Sequence, residues 1–360
     1  MDDKELDKDD PKRGRPAACT SIHGDDKGNI IVGTVCNEIY EIEAADFDGT
    51  GDASPMCIMQ GHYDELWGLA IHPKKRIFCT GAEDETLRVW DMDKFTLLDI
   101  AKLMGPVRCA SYGGANAEWL AVGLGGKNAK HKLSGKWVVL HADTLDLCFE
   151  PPHTRFERVS DIKFSPDSQW IAVANADNGI DVYACPGYGN SNSNFKRVCK
   201  FEGHSSFVAH IDWNEQSTKL QSQCGAHELL YWRLYDENGR WKPKQEKSSS
   251  SMRDEVWETQ TCTFGWHVRG LFCEGADGTD INACARSNTG EGINRREIIA
   301  TSDDFGTVKL FRYPSIVPYA DHKPYGGHSS HVTNVGFDES DKWLVSTGGE
   351  DRAVFQWELI

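Results

Sequence analysis

A recurring unit, in which a short apolar segment ends in an aromatic residue, organises this chain of 360 residues. The units follow one another at intervals of 46 to 50 residues, with one longer interval of 79 residues. A period in the mid-forties is typical of a β-propeller blade, a four-stranded sheet that cannot bury both faces alone. The seven aromatic positions are Tyr40, Trp90, Trp137, Tyr183, Trp232, Phe311 and Trp357. We therefore predict an all-β fold, a seven-bladed β-propeller over residues 17–360.

A set of four polar and aromatic residues occurs in blades two and seven. In each set the aspartate lies six residues before the tryptophan, and the threonine lies four residues before the aspartate. These units resemble WD repeats, in which such a set forms a buried hydrogen-bond chain from loop to strand. A buried polar network is tolerated when every member has a partner, so a structural role is expected. The two sets are His62, Thr80, Asp84, Trp90 and His328, Thr347, Asp351, Trp357.

Blade five carries a reduced version of this set. His204 precedes Trp232 by 28 residues, which is also the spacing of His62 and Trp90. Ala226 stands where the aspartate would be expected. The unit is therefore a degenerate copy of the repeat.

Composition restricts the classes of partner and the compartment. The formal net charge is −16, whereas a nucleic-acid-binding surface normally presents a basic face, so no nucleic-acid partner is predicted. No apolar stretch reaches 18 residues, and no membrane span is predicted. The twelve cysteines form no Cys-x-x-Cys pair, which favours free thiols in the cytoplasm. Residues 1–16 are highly charged and are expected to form a disordered tail.

The sequence predicts no catalytic, cofactor-binding or metal site. Cys262, Cys273 and Cys284 recur every eleven residues with His267 between them, but zinc sites usually need ligand pairs two to four residues apart. No nucleophile is matched to a general base, and no loop has the spacing of a phosphate-binding motif. The chain is therefore expected to be no enzyme and to carry no cofactor.

Three long connections are expected on one face of the ring. Residues 184–195 and 236–255 are assigned between the third and fourth strands of blades four and five, and residues 274–296 between the first two strands of blade six. Loops on a rigid scaffold commonly carry recognition, so these three form a candidate partner surface. The alternative is that they are flexible insertions without a partner.

Five segments extend the resemblance beyond a general propeller. They resemble the echinoderm microtubule-associated protein-like family, and specifically the second of that family's two tandem propellers. The resemblance implies a scaffold of the microtubule cytoskeleton that binds tubulin, microtubules or microtubule-associated proteins, with spindle or axoneme locations. The segments are residues 60–73, 202–213, 277–283, 301–314 and 325–337.

Two other functional classes stay open from the residues. One is a general WD-repeat adaptor in a ubiquitin or trafficking complex. The other is a propeller enzyme, which would need convergent catalytic side chains at the mouth of the channel. The leading interpretation remains a non-enzymatic interaction scaffold.

A lysine-rich connection in blade three is the candidate partner contact. Residues 125–136 contain no acidic residue, although the ring as a whole is acidic. We expect this basic loop to meet an acidic partner such as a tubulin tail, or else to be a solvated hairpin tip. Its lysines are Lys127, Lys130, Lys132 and Lys136.

The end of the chain predicts an incomplete last blade. Only Glu358, Leu359 and Ile360 follow Trp357, so blade seven is expected to have three strands and an unpaired edge at Ala353–Leu359. An open edge is a template for another strand. An upstream propeller or a partner strand could cover it, and docking of the N-terminal segment is the alternative.

Overall fold

Twenty-seven strands and two short 3-10 turns make up the described part of the chain. They form seven antiparallel sheets, six with four strands and the last with three, and in each sheet neighbouring strands are consecutive in sequence. This arrangement confirms the predicted all-β class, with seven blade-like sheets of which the last has three strands. The computed structural model describes residues 18–43, 55–126, 135–152, 155, 157–188, 194–288 and 297–360.

The sheets are numbered one to seven along the chain and correspond to the predicted blades. Sheets one to four contain β1 (Cys19–Gly24), β2 (Ile30–Thr34), β3 (Glu38–Ile42), β4 (Met56–Gln60), β5 (Leu66–Ile71), β6 (Ile77–Ala82), β7 (Thr86–Asp91), β8 (Thr96–Lys102), β9 (Val107–Gly113), β10 (Trp119–Leu124), β11 (Trp137–His141), β12 (Leu147–Phe149), β13 (Val159–Phe164), β14 (Trp170–Asn175), β15 (Gly179–Ala184) and β16 (Lys196–Glu202). Sheets five to seven contain β17 (Val208–Trp213), β18 (Lys219–Cys224), β19 (Leu229–Tyr235), β20 (Trp241–Glu246), β21 (Ile281–Arg286), β22 (Ile298–Asp303), β23 (Thr307–Arg312), β24 (His322–Gly326), β25 (Val332–Phe337), β26 (Trp343–Gly348) and β27 (Val354–Glu358).

The ring closes by packing of sheet seven directly on sheet two. The amide of Leu66 donates to the carbonyl of Gly349 over 3.1 Å, and Arg76 pairs with Asp338 over 2.9 Å. A shared apolar core between the two sheets includes Leu69, Phe78, Met92 and Val345. Burying a side chain of the size of Phe78 stabilises the fold by about 1.5–3 kcal/mol.

Sheet one lies outside this ring. All of β1 is exposed, and Ile22 and Met59 keep 67% and 58% of their surface in contact with solvent. Its junction with sheet two runs through Asn37, whose side-chain amide donates to the carbonyl of His62 over 2.7 Å and whose carbonyl accepts from Gly61 over 3.2 Å. Sheet one is therefore a flanking sheet, attached to the ring through the loop before β5.

An inserted segment, residues 256–263, occupies a place between sheets five and six. The amide of Glu258 donates to the carbonyl of Trp213, and the carbonyl of Thr259 accepts from Arg286, over 2.8 and 2.9 Å. Thr261 donates to the carbonyl of Ile211 over 2.9 Å. Thr261 also lines the central channel of about 360 Å³, together with residues of the first strands of sheets two to seven. The inserted segment thus separates the first strands of sheets five and six.

Two predicted insertions are placed differently by the structure. Residues 236–255 were expected to lie between the third and fourth strands of blade five, but β20 at Trp241–Glu246 is itself that fourth strand and pairs with β19. Residues 274–296 were expected to join the first two strands of blade six, whereas the first strand of that sheet is β21 at Ile281–Arg286. Residues 274–296 therefore include a strand. The backbone conformation gives the physical reason: Trp266–Val268 is a 3-10 turn, which cannot join a strand ladder, whereas Ile281–Arg286 pairs with β22.

Candidate functional site

The four residues of blade two form one hydrogen-bond chain. The Nδ1 atom of His62 lies 2.9 Å from Asp84 Oδ2, and its Nε2 atom lies 2.8 Å from Thr80 Oγ1. The indole N–H of Trp90 donates to the same Thr80 hydroxyl over 2.8 Å. If Nδ1–H donates to the carboxylate, Nε2 accepts from Thr80, and Thr80 accepts from Trp90, so every donor meets an acceptor. These hydrogen bonds fix the loop before β5 to strands β6 and β7.

The charge state of this network follows from its burial. Burial disfavours the charged form of Asp84, but hydrogen bonds from His62 and Thr86 outweigh it and lower the pKa of Asp84 to about 2. Burial lowers the pKa of His62 below its ordinary value, against the opposing effect of Asp84. The pair therefore holds an ionised aspartate beside a neutral histidine at pH 7, which makes a charge-assisted hydrogen bond.

Blade seven builds its network with a different hydroxyl from the predicted one. His328 Nδ1 lies 3.0 Å from Asp351 Oδ2, but its Nε2 atom lies 2.8 Å from Ser346 Oγ. Trp357 also donates to Ser346, over 2.8 Å. The expected Thr347 instead meets the hydroxyl of Thr333 at 3.0 Å. The assignment of Thr347 is therefore wrong, because side chains of neighbouring strand residues point to opposite faces of the sheet.

Ser222 completes a third network in blade five that the sequence had left degenerate. His204 Nε2 lies 2.7 Å from Ser222 Oγ, and Trp232 donates to that oxygen over 2.7 Å. The histidine precedes its hydroxyl partner by 18 residues in all three networks, a spacing visible in the sequence that could have identified Ser222 and Ser346. Glu228 lies 3.6 Å from His204 Nδ1 in place of an aspartate.

The lysine-rich connection is described only at its end. Lys127, Lys130 and Lys132 lie outside the described residues. Lys136, just before β11, is described, and its ammonium group pairs over 2.8 Å with Glu150, just after β12. This lysine is therefore engaged within its own sheet.

Two of the three connections that form the predicted partner surface are shorter than expected. The connection from Ala184 to Lys196 does lie between the third and fourth strands of blade four, and residues 189–193 of it are outside the described part. In blade five, residues 236–240 form the equivalent turn. In blade six, residues 287–297 join β21 to β22, with residues 289–296 not described.

The edge predicted at Ala353–Leu359 has no strand partner in the described part of the chain. The carbonyl of Ala353 accepts from the amide of Gly348, and the amide of Leu359 donates to the carbonyl of Lys342, just before β26. Because bonding alternates along an antiparallel strand, the backbone groups of Val354, Gln356 and Glu358 point away from β26. Among the described residues, the outward backbone groups of β27 therefore pair with no strand and can accept another one.

A groove runs beside this edge. It has a volume of about 870 Å³ and lies between β27, the outer part of sheet two and β4 of sheet one. Its rim exposes Ile58, Met59 and Phe95, which are 48%, 58% and 66% exposed. The open edge and the groove together offer backbone hydrogen bonds beside apolar contacts.

Comparison with known proteins identifies the family. Residues 66–359 match the model of the second β-propeller of the echinoderm microtubule-associated proteins. The chain belongs to the echinoderm microtubule-associated protein family. The match begins at Leu66, the first residue of β5, and so leaves out sheet one. This boundary agrees with the packing, in which sheet two and sheet seven meet.

Individual members of the family align with nearly all of this chain. It is 38% identical over 339 residues to echinoderm microtubule-associated protein-like 2 of Homo sapiens, covering 94% of the chain and 47% of that protein. It is 38% identical over 333 residues to the 77 kDa echinoderm microtubule-associated protein of Lytechinus variegatus, covering 92% of the chain and 45% of that protein. The chain thus spans about half the length of these curated relatives.

The structure bears on two expectations from composition, the membrane spans and the state of the cysteines. Within the described residues, no helix is long and apolar enough to cross a membrane. All twelve cysteines are free thiols.

Proposed function

We propose that this chain is a non-enzymatic protein-interaction module of the microtubule cytoskeleton, acting in the cytoplasm on tubulin or on microtubule-associated proteins. The observation that carries the proposal is its alignment over more than 90% of its length with proteins named for association with microtubules. The spindle and the axoneme are the locations at which such a module would act. The fold supports the proposal by presenting loops and an open strand edge on a rigid ring.

The open edge of β27 is the first part of the proposed interaction surface. An extended segment of a partner protein would add a fourth strand to sheet seven and bond to the outward groups of Val354, Gln356 and Glu358. Such β-augmentation gains affinity from main-chain hydrogen bonds and specificity from alternate side-chain pockets. The geometry favours an extended polypeptide because backbone groups, rather than charged side chains, face outward along this edge.

The groove beside the edge supplies the side-chain pockets. Every second side chain of an added strand would face the apolar rim formed by Ile58, Met59 and Phe95. Burying exposed apolar surface stabilises association by about 25 cal/mol per Å² before the cost of ordering the partner. We therefore expect a partner segment with alternating apolar residues.

The basic loop is the second part of the proposed surface. Lys127, Lys130 and Lys132 carry three positive charges on a chain whose net charge is −16, and they would meet an acidic tail such as that of tubulin. Contacts between exposed charges weaken as salt screens them. This contact should set the association rate more than the final affinity.

Co-sedimentation with polymerised tubulin tests the proposal. The wild-type chain should pellet with microtubules, and Phe95→Glu and Gln356→Pro should reduce the bound fraction. Proline removes an outward N–H from an edge strand without breaking the bonds of the sheet. Leu147→Glu is the matched control, because Leu147 is an exposed apolar residue of sheet three, away from the groove. Failure of the wild-type chain to pellet, in the presence of a folded circular dichroism spectrum, would refute tubulin binding.

A charge-reversal series tests the basic loop separately. Lys127→Glu, Lys130→Glu and Lys132→Glu together should weaken co-sedimentation at low salt and reduce its salt dependence. Lys136→Glu is not part of the series, because it would break the ion pair with Glu150. Identical binding of the triple variant at two salt concentrations would remove the loop from the proposed surface.

A further inference from the structure

Blade five contains a cluster of three different donor atoms. The ligand-capable atoms of His204, Cys224 and Glu228 all lie within 4.8 Å of one another. His204 and Cys224 are buried, whereas Glu228 is partly exposed and opens the cluster to solvent. We propose that these three side chains form a zinc-binding site, which links the loop before β17 to the turn between β18 and β19.

Local structure brings the three residues together. His204 follows β16 in the loop that leads to β17. Cys224 ends β18, and Glu228 precedes β19, so they stand at the two ends of a tight turn. The amide of Cys224 donates to the carbonyl of Glu228 over 3.1 Å, and the amide of His227 donates to the carbonyl of Cys224 over 2.9 Å. The turn therefore fixes the cysteine and the glutamate on one side, facing the histidine.

The corresponding position in the other two networks has no ligand atom. Cys224 lies two residues after Ser222, and the residues two positions after Thr80 and Ser346 are Ala82 and Gly348. At Gly348 an added Cβ would come within 1.9 Å of an Asp351 carboxylate oxygen. In blades two and seven the histidine thus bonds directly to an aspartate, whereas blade five has room for a thiol.

The histidine and its carboxylate are also further apart in blade five. The distances from histidine Nδ1 to carboxylate oxygen are 2.9 Å in blade two and 3.0 Å in blade seven. In blade five the distance from His204 Nδ1 to Glu228 Oε2 is 3.6 Å, too long for a hydrogen bond. The histidine and the carboxylate of blade five are therefore separated rather than hydrogen-bonded.

An unpartnered ring nitrogen points into this space. The His204 side chain is 1% exposed, yet its Nδ1 atom makes no hydrogen bond. A buried polar atom without a partner costs free energy, so such an atom needs an explanation. A metal ion on Nδ1 would satisfy it. The proton would then sit on Nε2 and donate to Ser222 Oγ, which lies 2.7 Å away and can accept from both His204 and Trp232.

The donor set and spacing fit zinc. Nitrogen, thiolate and carboxylate are the ligands that Zn²⁺ takes in proteins, at about 2.0–2.3 Å, and tetrahedral ligands at such distances are about 3.3–3.7 Å apart. Glu228 lies 3.6 Å from His204 Nδ1 and 3.3 Å from Cys224 Sγ. Binding would release the proton of the Cys224 thiol to solvent, and a water molecule would take the fourth position on the exposed side.

Metal titration of the full chain tests the site. Chelator-treated wild-type protein should bind one equivalent of Zn²⁺ in competition with a chromophoric chelator. Cys224→Ala, which introduces the residue of blade two, and Glu228→Gln, which keeps an oxygen for the Ser205 amide, should each weaken binding by at least about tenfold. Cys148→Ala is the control, because this exposed cysteine lies in sheet three.

Cobalt substitution tests for the thiolate ligand in the wild-type chain itself, where folding defects of the variants play no part. Co²⁺ bound to the wild-type chain and to the Cys148→Ala control should show a thiolate-to-cobalt charge-transfer band, and Cys224→Ala should lose it. Zinc should also raise the Tm of the wild type more than that of Glu228→Gln. The proposal is overturned if the wild type binds no stoichiometric Zn²⁺, or if both site variants keep its affinity. It is equally overturned if the wild-type cobalt complex shows no thiolate band.

Discussion

The Nε2 atom of His328 lies 2.8 Å from the hydroxyl of Ser346, the residue before the threonine that the sequence favoured. The register explains this pairing. Trp357 is paired with Leu344, two residues before Ser346, just as Trp90 is paired with Phe78, two residues before Thr80. Between the last paired residues, six residues (348–353) join β26 to β27 but five (82–86) join β6 to β7, so counting back from the aspartate selects the wrong strand residue. Position relative to the paired strand, rather than distance from the aspartate, therefore selects the hydroxyl partner.

Removal of the Ser346 hydroxyl should be costly. Ser346→Ala leaves His328 and the indole N–H of Trp357 without their common partner in a buried site, and we expect a loss of about 1–3 kcal/mol in the free energy of unfolding. Thr347→Val is the matched control, because it removes a buried hydroxyl one residue along the same strand. Thr333 keeps its bond to the Thr347 carbonyl, so the control should lose less. Equal losses in urea denaturation would contradict the assignment of Ser346.

Acid should destabilise the protein through His72. Burial, with nearby Lys75, lowers the pKa of this histidine from 6.5 to about 4, against the opposing charge of Asp143. Its Nδ1 atom accepts from the amides of Lys74 and Lys75, so the neutral ring is the native form. The unfolded state therefore binds a proton first as pH falls, and the stabilisation present above pH 6.5 is lost towards pH 4, up to about 3 kcal/mol.

His72→Asn tests this pH dependence, because an amide oxygen can accept the same bonds without titrating. The free energy of unfolding of wild type and variant should be measured between pH 7 and about pH 4. The wild-type curve should fall more steeply than that of the variant, while the exposed-site control His23→Asn should follow the wild type. Parallel curves for wild type and His72→Asn would exclude His72 as the source.

The buried ion pair of blade four should be sensitive to truncation. Arg155 donates to both carboxylate oxygens of Asp181, over 2.9 and 3.0 Å, and also pairs with Asp177. Arg155→Ala leaves the buried Asp181 without its main partner and should cost about 3–5 kcal/mol. Arg253→Ala, which removes a solvent-exposed pair with Asp254, should leave the Tm unchanged. A similar Tm for both variants would show that the Arg155 pair contributes nothing.

A methyl group at Gly81 should disturb the contact between sheets two and three. A Cβ atom there would lie 2.1 Å from the Cγ1 atom of Val107, so Gly81→Ala should cost about 1–3 kcal/mol through overpacking. Gly105→Ala is the control, since no atom lies within 4 Å of its added Cβ. Thermal unfolding of the two variants gives the comparison. A stable Gly81→Ala protein would mean that Val107 can move away without loss of packing.

The repeat pattern was sufficient for the class of fold. Apolar segments of strand length at blade spacing predict antiparallel sheets, because each sheet has to bury its faces against neighbours. The residues after Trp357 are too few for another strand, and the sequence thereby predicted the three-stranded last sheet. The family resemblance rested on short segments and was confirmed over residues 66–359.

Packing between distant segments was decided only in three dimensions. Sheet one has the same pattern of strands and turns as the others, so nothing local distinguishes it, yet β5 packs on sheet seven and leaves it outside. The inserted segment 256–263 belongs to none of the named strands and is held by bonds to Trp213 and Arg286 of two different sheets.

Some candidate sites could likewise be predicted from the sequence, whereas another is formed only by tertiary contacts. Residue spacing predicted the network of His62 and, for His328, its aspartate and tryptophan but not its hydroxyl partner, since repeated units place most polar residues at regular intervals. The cluster of His204, Cys224 and Glu228 was not predicted, because β17 separates His204 from the other two, and Cys224 and Glu228 are not a Cys or His pair. Sequence determined which sheets form, since strand pairing is local. Tertiary structure decided which loops and edges meet, since those contacts depend on closure of the ring.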